Sequence, residues 1–197
     1  MVDVIKDRSK GRLVNVLDVG CGEGGFVRDL SGLGNVEAHG IDISAPSVEL
    51  AAKASSGVLF VVANADRFLP YADGSFNFIV SIDARLNTAE FDRVLTPQGL
   101  VLVAVPAPDD LVELRERIQG ARVEKSRVER VGQDLGGRFE LADKMTVREQ
   151  RELGPADLKD LLTTTYRGFR EKERARISQL QTMTLTLSHE VLAYRRP

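Results

Sequence analysis

The stretch LDVGCGEGGF, residues 17–26, decides how this chain is read. It closes a short apolar, β-branched run over residues 13–19 and opens onto apolar residues at 26–30 that begin a helix, so the glycines sit at a strand-to-helix turn. Gly20, Gly22 and Gly24 let the backbone turn sharply and approach a ligand with no Cβ in the way. Gly20, Gly22 and Gly25 also meet the spacing of a dinucleotide loop, so the glycines alone leave two readings open. Asp18 separates them: a carboxylate two residues before the first glycine suits a cationic ligand and repels a pyrophosphate.

Working outward, residues 36–41 (VEAHGI) read as a second strand and 45–54 as a helix with Ser44 as N-cap and Pro46 in its first turn. Residues 58–63 make a third strand, 76–82 (FNFIVSI) a fourth, 88–95 a helix, and 99–105 (GLVLVAV) a fifth strand behind the turn Pro97-Gln98-Gly99. Short apolar strands alternating with helices imply right-handed crossovers and a mainly parallel sheet with helices on both faces. Further on, 109–119 reads as a helix, 139–153 holds an edge strand, Gly154-Pro155 opens a helix through 162, and TMTLTL at 182–187 runs toward Tyr194 as a late antiparallel strand. The fold class is α/β, seven-stranded. The polar stretch 121–137 reads as a mobile insertion or lid within a single domain, 1–197.

With 197 residues, 43% hydrophobic and 28% charged, the chain can bury one sizeable core. A net charge of −2 gives no global attraction to nucleic acid, so any RNA contact needs a local basic patch. The single cysteine, Cys21, can form neither an internal disulfide nor a thiolate zinc site, which fits a reducing cytosol, and no metal is expected. No leader and no run of roughly 20 apolar residues is present, so a cytoplasmic location is expected. His39 lies in the second strand as a core residue, and His189 has no partners at metal spacing.

The second strand ends in GIDIS. Asp42 stands about 20 residues beyond the loop, where an acid can accept hydrogen bonds from both hydroxyls of a ribose. LDVGCGEGGF resembles the first motif of class I methyltransferases, which have a Rossmann-like fold. The resemblance implies S-adenosylmethionine as cofactor, its methionine part surrounded by Asp18, Gly20, Cys21, Gly22, Glu23 and Gly24, its ribose by Asp42 and Ile43. The segment ANADRFLPYADGSFNFIVS, residues 63–81, is similar to the adenine-recognition stretch of that class and carries the role to Asn64 and Ala65, with Ser81 also beside the cofactor. Many relatives have Asp where this chain has Asn64; an amide oxygen can also accept from the adenine amino group. Asp66 is the competing candidate.

The segment with Pro106-Ala107-Pro108 followed by Leu111, Glu113 and Leu114 resembles the bacterial large-subunit (23S) ribosomal RNA guanine-N1 methyltransferases, and LLTTTYRGFR at 161–170 does so more loosely. That resemblance implies methylation of a guanine base. The sequence departs from the family in lacking its N-terminal zinc module, in having little of the upstream segment that covers the methionine end, and in having no proline in Ser81-Ile82-Asp83-Ala84-Arg85. Asp83, at the carboxyl end of the fourth strand where ligands of open α/β sheets bind, is the candidate base for the N1 proton. Arg167, Arg170, Lys172, Arg174 and Arg176, interleaved with Tyr166 and Phe169, are the candidate patch for ribosomal RNA; a solvated helix face with i,i+4 pairs accounts for the same charges. A small-molecule methyltransferase and a non-catalytic cofactor-binding relative stay open as alternatives.

Overall fold

The computed structural model describes residues 1–120, 126–165 and 181–197. Its strands are β1 (Val14–Val19), β2 (Val36–Asp42), β3 (Leu59–Val62), β4 (Phe76–Ile82), β5 (Leu95–Pro106), β6 (Glu140–Leu153) and β7 (Met183–Arg195). Its helices are α1 (Val2–Ser9), α2 (Gly25–Ser31), α3 (Ala45–Ala54), α4 (Thr88–Val94), α5 (Val112–Gln119), α6 (Val128–Leu135) and α7 (Pro155–Thr165). The strands form one sheet in the order β3-β2-β1-β4-β5-β7-β6. Pairing is parallel from β3 through β5, and the late strands are antiparallel, as the alternation of strands and helices predicts. The order turns back on itself between β1 and β4, which opens a crevice beyond the carboxyl ends of these two strands.

Side-chain alternation divides the core between the two faces of the sheet. Leu17 and Val19 of β1 join one cluster, with Val101 and Val103 of β5, while Val14 and Val16 join the other, with Leu102. Phe91 and Val94 of α4 cover the first face; Ile5 of α1 and Val27 and Leu30 of α2 cover the second. A register shift between Phe76 and Phe78 sends Phe76 and Phe78 to opposite faces although they are two residues apart.

Two helices were not legible as such in the sequence. α1 precedes the first strand and buries Ile5 completely; Lys10 (φ 49) and Gly11 (φ 74) end it in left-handed backbone. α6 falls inside the stretch read as a mobile insertion, of which residues 121–125 lie outside the described residues. Val131 and Leu135 of α6 are buried in the cluster of β1 and β5, and Val128 packs against it. The spacing 128, 131, 135 is one helical stripe, and the charges between those positions mask it.

By its internal contacts the chain divides into two compact units. The first comprises Met1–Val105, Val128–Met145 and Val191–Pro197, and holds both clusters just described. The second comprises Pro106–Arg127 and Thr146–Glu190. Its core gathers Leu111, Leu114, Leu158 and Leu185, and Glu113 Oε1 accepts from the Thr186 hydroxyl at 2.7 Å.

If α6 is part of the core, Leu135→Ala will lower the unfolding free energy by about 2–5 kcal/mol in a denaturant titration, whereas exposed Glu129→Ala on the same helix will change it by less than about 0.5 kcal/mol. Equal, small effects at both positions would show that the helix is not a structural element.

Candidate functional site

Beyond β1 the chain turns through Gly20 (φ 81), Gly22 (φ 52) and Gly24 (φ 73), all left-handed. A Cβ on Gly20 would stand 2.5 Å from the Cβ of Ala84, so glycine there lets the ends of β1 and β4 come together. The N–H groups of Gly20 and Cys21 donate to the Ile41 carbonyl at 2.8 and 3.1 Å, Gly22 N–H donates to Asp42 Oδ2 at 2.9 Å, and Gly24 N–H donates to the Cys21 carbonyl at 2.9 Å. A pyrophosphate cradle needs free backbone donors, and these four are engaged within the protein. The dinucleotide reading thereby loses its chemistry.

Asp42 works in two directions. Its Oδ2 holds Gly22 and its Oδ1 accepts from Ser44 N–H at 2.8 Å, so the turn after β1 is tied to the tip of β2. Each oxygen still has lone-pair capacity for a further donor. Ser44 meanwhile caps α3, its hydroxyl accepting from Ser47 N–H.

A cavity of about 400 Å³ opens at these strand tips. Of the residues expected from the sequence, Gly20, Asp42, Ile43, Asn64 and Ala65 line it, and Asp66, Ala84 and Arg85 complete its walls. Asn64 Oδ1 accepts from Asp66 N–H at 3.0 Å, forming a tight turn, and Asp66 in turn pairs with Arg85 at 3.3 Å. Asp66 is therefore on the wall as well, committed to a surface ion pair.

The wall is held from behind by α4, whose part in the site the sequence did not disclose. Asn87, the N-cap of α4, donates from Nδ2 to the Ala65 carbonyl at 2.9 Å. Glu90 Oε2 accepts from Leu69 N–H at 2.8 Å, and Arg93 donates to the Leu69 and Tyr71 carbonyls at 2.8 and 2.7 Å. The Arg93 guanidinium holds the Glu90 carboxyl below its usual range, and the same group lies 5.2 Å over the Phe68 ring. The only sequence signal was the i,i+3 spacing of Glu90 and Arg93, which is common on exposed helices.

The remaining expected residues do not line the cavity. Asp18 lies in the sheet with only 3% exposure, beside Gly40 of β2 and Val80 of β4, and burial, then the Asp42 charge, raise its carboxyl to about 7. Cys21 turns its side chain into the core with Val27 and Ala38, and its thiol is pushed up to about 12 by burial first, then by the charges of Asp18 and Asp42. That thiol is packing and is inert as a nucleophile. Glu23 is exposed, and its carbonyl accepts from Arg28. Gly22 and Gly24 shape the turn; a Cβ on Gly24 would meet the Phe60 ring at 2.8 Å. Ser81, fully buried beside Val19, has a hydroxyl with no partner among the described residues. Asp83 stands exposed just past β4 in left-handed backbone (φ 52), its N–H donating to the Ala104 carbonyl at 3.1 Å. Arg167, Arg170, Lys172, Arg174 and Arg176 lie outside the described residues.

Residues 16–99 match the model of a family described as a methyltransferase domain. The match takes in β1 to β4 and every residue that lines the cavity. Among curated proteins, the chain is 29% identical over 185 residues to one from Micromonospora griseorubida provisionally named a 23S rRNA (guanine-N(1)-)-methyltransferase, covering 91% of this chain and 63% of that protein. It is 31% identical over 134 residues to the 23S rRNA (guanine(748)-N(1))-methyltransferase of Streptomyces fradiae, covering 68% of this chain and 48% of the relative. The chain thus spans less than two thirds of the length of these relatives. Among solved structures, geranyl diphosphate C-methyltransferase from Streptomyces coelicolor A3(2), in complex with Mg2+, geranyl diphosphate and S-adenosyl-L-homocysteine, superposes with a TM-score of 0.57 at 17% identity, over 100% of this chain and 79% of that one. The fold is the Rossmann-like fold of methyltransferases. Among the described residues of the chain, no helix is long and apolar enough to cross a membrane, and no group of three or more His, Cys, Asp or Glu is placed to hold a metal.

The buried Asp18 makes a pH-dependent demand on stability. Its folded pKa of about 7 lies above the ordinary value of 3.8, so the stability it contributes is full below about pH 4 and is lost as pH rises through 7. Asp18→Asn removes that loss. Thermal or denaturant unfolding without ligand will show the variant gaining on the parent by about 2 kcal/mol between pH 5 and pH 8. A difference that stays flat across this window would mean that Asp18 titrates normally.

Proposed function

We propose that this chain transfers the methyl group of S-adenosylmethionine to N1 of a guanine in ribosomal RNA. The observation that carries the cofactor is the pair of acids at the switch point: Asp42 on the cavity wall, and Asp18 buried next to it strongly enough that its charge is suppressed. A buried carboxyl with a pKa of about 7 loses its proton at little cost near neutral pH to pair with a nearby ammonium, whereas an anion would push the pKa further up. Asp42 has the lone pairs to accept from two ribose hydroxyls, Ile43 offers an apolar surface, and Asn64 with Ala65 offers an edge for adenine. Ser81 adds an unsatisfied hydroxyl beneath the turn. These residues fit an adenosyl ligand with a cationic tail. The S-adenosyl-L-homocysteine in the complex of the geranyl diphosphate enzyme supports the same cofactor class.

S-adenosylmethionine supplies an activated methyl group on a positively charged sulfur, so the main task of the protein is alignment. Asp42 and the glycine turn would hold the ribose end, and Asp18, buried and outside the cavity lining, would act on the cationic end through its charge alone. Guanine N1 carries a proton at neutral pH. Asp83, exposed at the β4 tip next to Ala84 and Arg85 of the cavity wall, would accept that proton on a carboxylate oxygen as N1 takes the methyl group and the methyl–sulfur bond breaks, leaving S-adenosylhomocysteine. The acceptor rests on the names of the relatives from Micromonospora and Streptomyces and on the proline-spaced segment at 106–114.

The test is incubation with methyl-labelled cofactor and, separately, a 23S rRNA transcript, total bacterial protein and a metabolite extract. Label recovered as 1-methylguanosine from the RNA is expected; label in metabolites alone would overturn the acceptor. Asp42→Ala will weaken cofactor binding at least about tenfold by calorimetry, consistent with two lost hydrogen bonds to a charged group. Asp83→Asn will lower turnover about 100-fold with cofactor affinity unchanged, and full turnover in that variant would remove Asp83 from the mechanism.

A further inference from the structure

At the opposite end of the same sheet, the amino ends of β1, β4 and β5 border a groove that the methyl-transfer site does not use. One cavity of about 410 Å³ is walled by Arg8, Lys10, Arg12, Gln98, Arg195 and Arg196 among others. A second, of about 200 Å³, shares Arg8, Arg12, Phe78 and Gln98 with it and adds Leu13 and Asn77. The shared walls make one continuous groove, longer than a single small anion requires.

The charges in it are of two kinds. Arg195 is paired with Glu140 at 2.8 Å, and Arg196 is held by Asp92 at 2.8 Å and by the Thr96 carbonyl. Arg8, Lys10 and Arg12 are exposed, and none has an acidic partner among the described residues. Asp7 and Asp143 line a third small cavity with Lys144 and with Arg8 itself, so acids stand near Arg8 without an ion pair to it, whereas Lys10 and Arg12 do not line that cavity. Three cations within five residues repel one another, yet the segment is fixed. Asn35 Nδ2 donates to both the Ser9 hydroxyl and the Arg12 carbonyl, the Ser9 hydroxyl donates to the Lys6 carbonyl, and Lys10 is held in left-handed backbone. The dipole of α1 accounts for a cation at Arg8, in its last turn, but not for Arg12 beyond it. In a chain with a net charge of −2, this is a local concentration of positive charge in which Arg8, Lys10 and Arg12 form no ion pair among the described residues.

We propose that this groove binds consecutive phosphates of the RNA substrate, so that the strand is gripped at the end of the sheet remote from the methylated base. Strands of six or seven residues put the two ends about 20 Å apart, a span of a few nucleotides of extended RNA or part of a folded hairpin. Arg8, Lys10 and Arg12 meet the phosphates, Gln98 offers its amide to phosphate or ribose oxygens, and exposed Leu13 gives an apolar surface to the sugar. With no aromatic side chain exposed in the groove, the contact holds the backbone and does not read bases.

This inference rests on RNA being the substrate, and the experiment separates the two claims. The intact chain and the triple variant R8Q/K10Q/R12Q are titrated with a 23S rRNA transcript across a salt series, with cofactor affinity and melting temperature measured alongside. The variant is expected to bind RNA about 10–100-fold more weakly at low salt, with a slope of log affinity against log salt reduced by about 2, and with unchanged cofactor affinity and melting temperature. Unchanged RNA affinity and slope would overturn the groove, as would inorganic phosphate at millimolar concentration competing away the RNA as completely as excess RNA does. RNA that binds through the groove but receives no labelled methyl group would leave the groove standing and sink the guanine acceptor. A parent chain with no RNA affinity sinks both.

Discussion

The carboxylate of Asp42 ties the glycine turn after β1 to the tip of β2, and the site depends on that tie. With Gly22 N–H on one oxygen and Ser44 N–H on the other, a single side chain sets the height of the turn and the start of α3. The Ile41 carbonyl adds two more bonds to the turn from the same strand. Because these donors are engaged, the turn is a shaped wall with acids behind it and has little affinity for phosphate. The same glycine spacing on another β-strand could serve a dinucleotide; here the use of the backbone N–H groups decides the chemistry.

Asp18 shows the cost of such a site. A carboxyl with 3% exposure, close to a second acid, is an unfavourable place for a charge, and the pKa of about 7 measures that conflict. A core built only for stability would have an apolar residue there, as it has at Leu17 and Val19 on either side. Cys21 shows a related outcome: burial first, then the charges of Asp18 and Asp42, push its thiol up to about 12 and keep it protonated.

The Asn64 and Ala65 wall of the cavity depends on a helix that does not line it. α4 grips the segment from Ala65 to Asp73 with Asn87, Glu90 and Arg93, and those bonds run to backbone groups more than to side chains. A backbone clamp leaves the sequence of the segment free while fixing its path.

The sequence by itself determined the strands and most of the helices, and pointed to Gly20 and Asp42, through local rules of periodicity, turn glycines and acids at strand tips. Ile43, Asn64 and Ala65 were named by the resemblance to class I methyltransferases. Only the tertiary structure decided which of the residues near the turn face a ligand. Asp18 and Ser81 are buried beneath the cavity, Cys21 packs in the core, Asp83 projects to solvent, and Arg93 serves as a clamp, because direction and burial come from partners distant in sequence. The same holds for α6, whose three apolar positions have a purpose only once β1 and β5 provide a face for them, and for Arg8, Lys10 and Arg12, whose charges become a groove only when β4, β5 and the chain end supply its other wall.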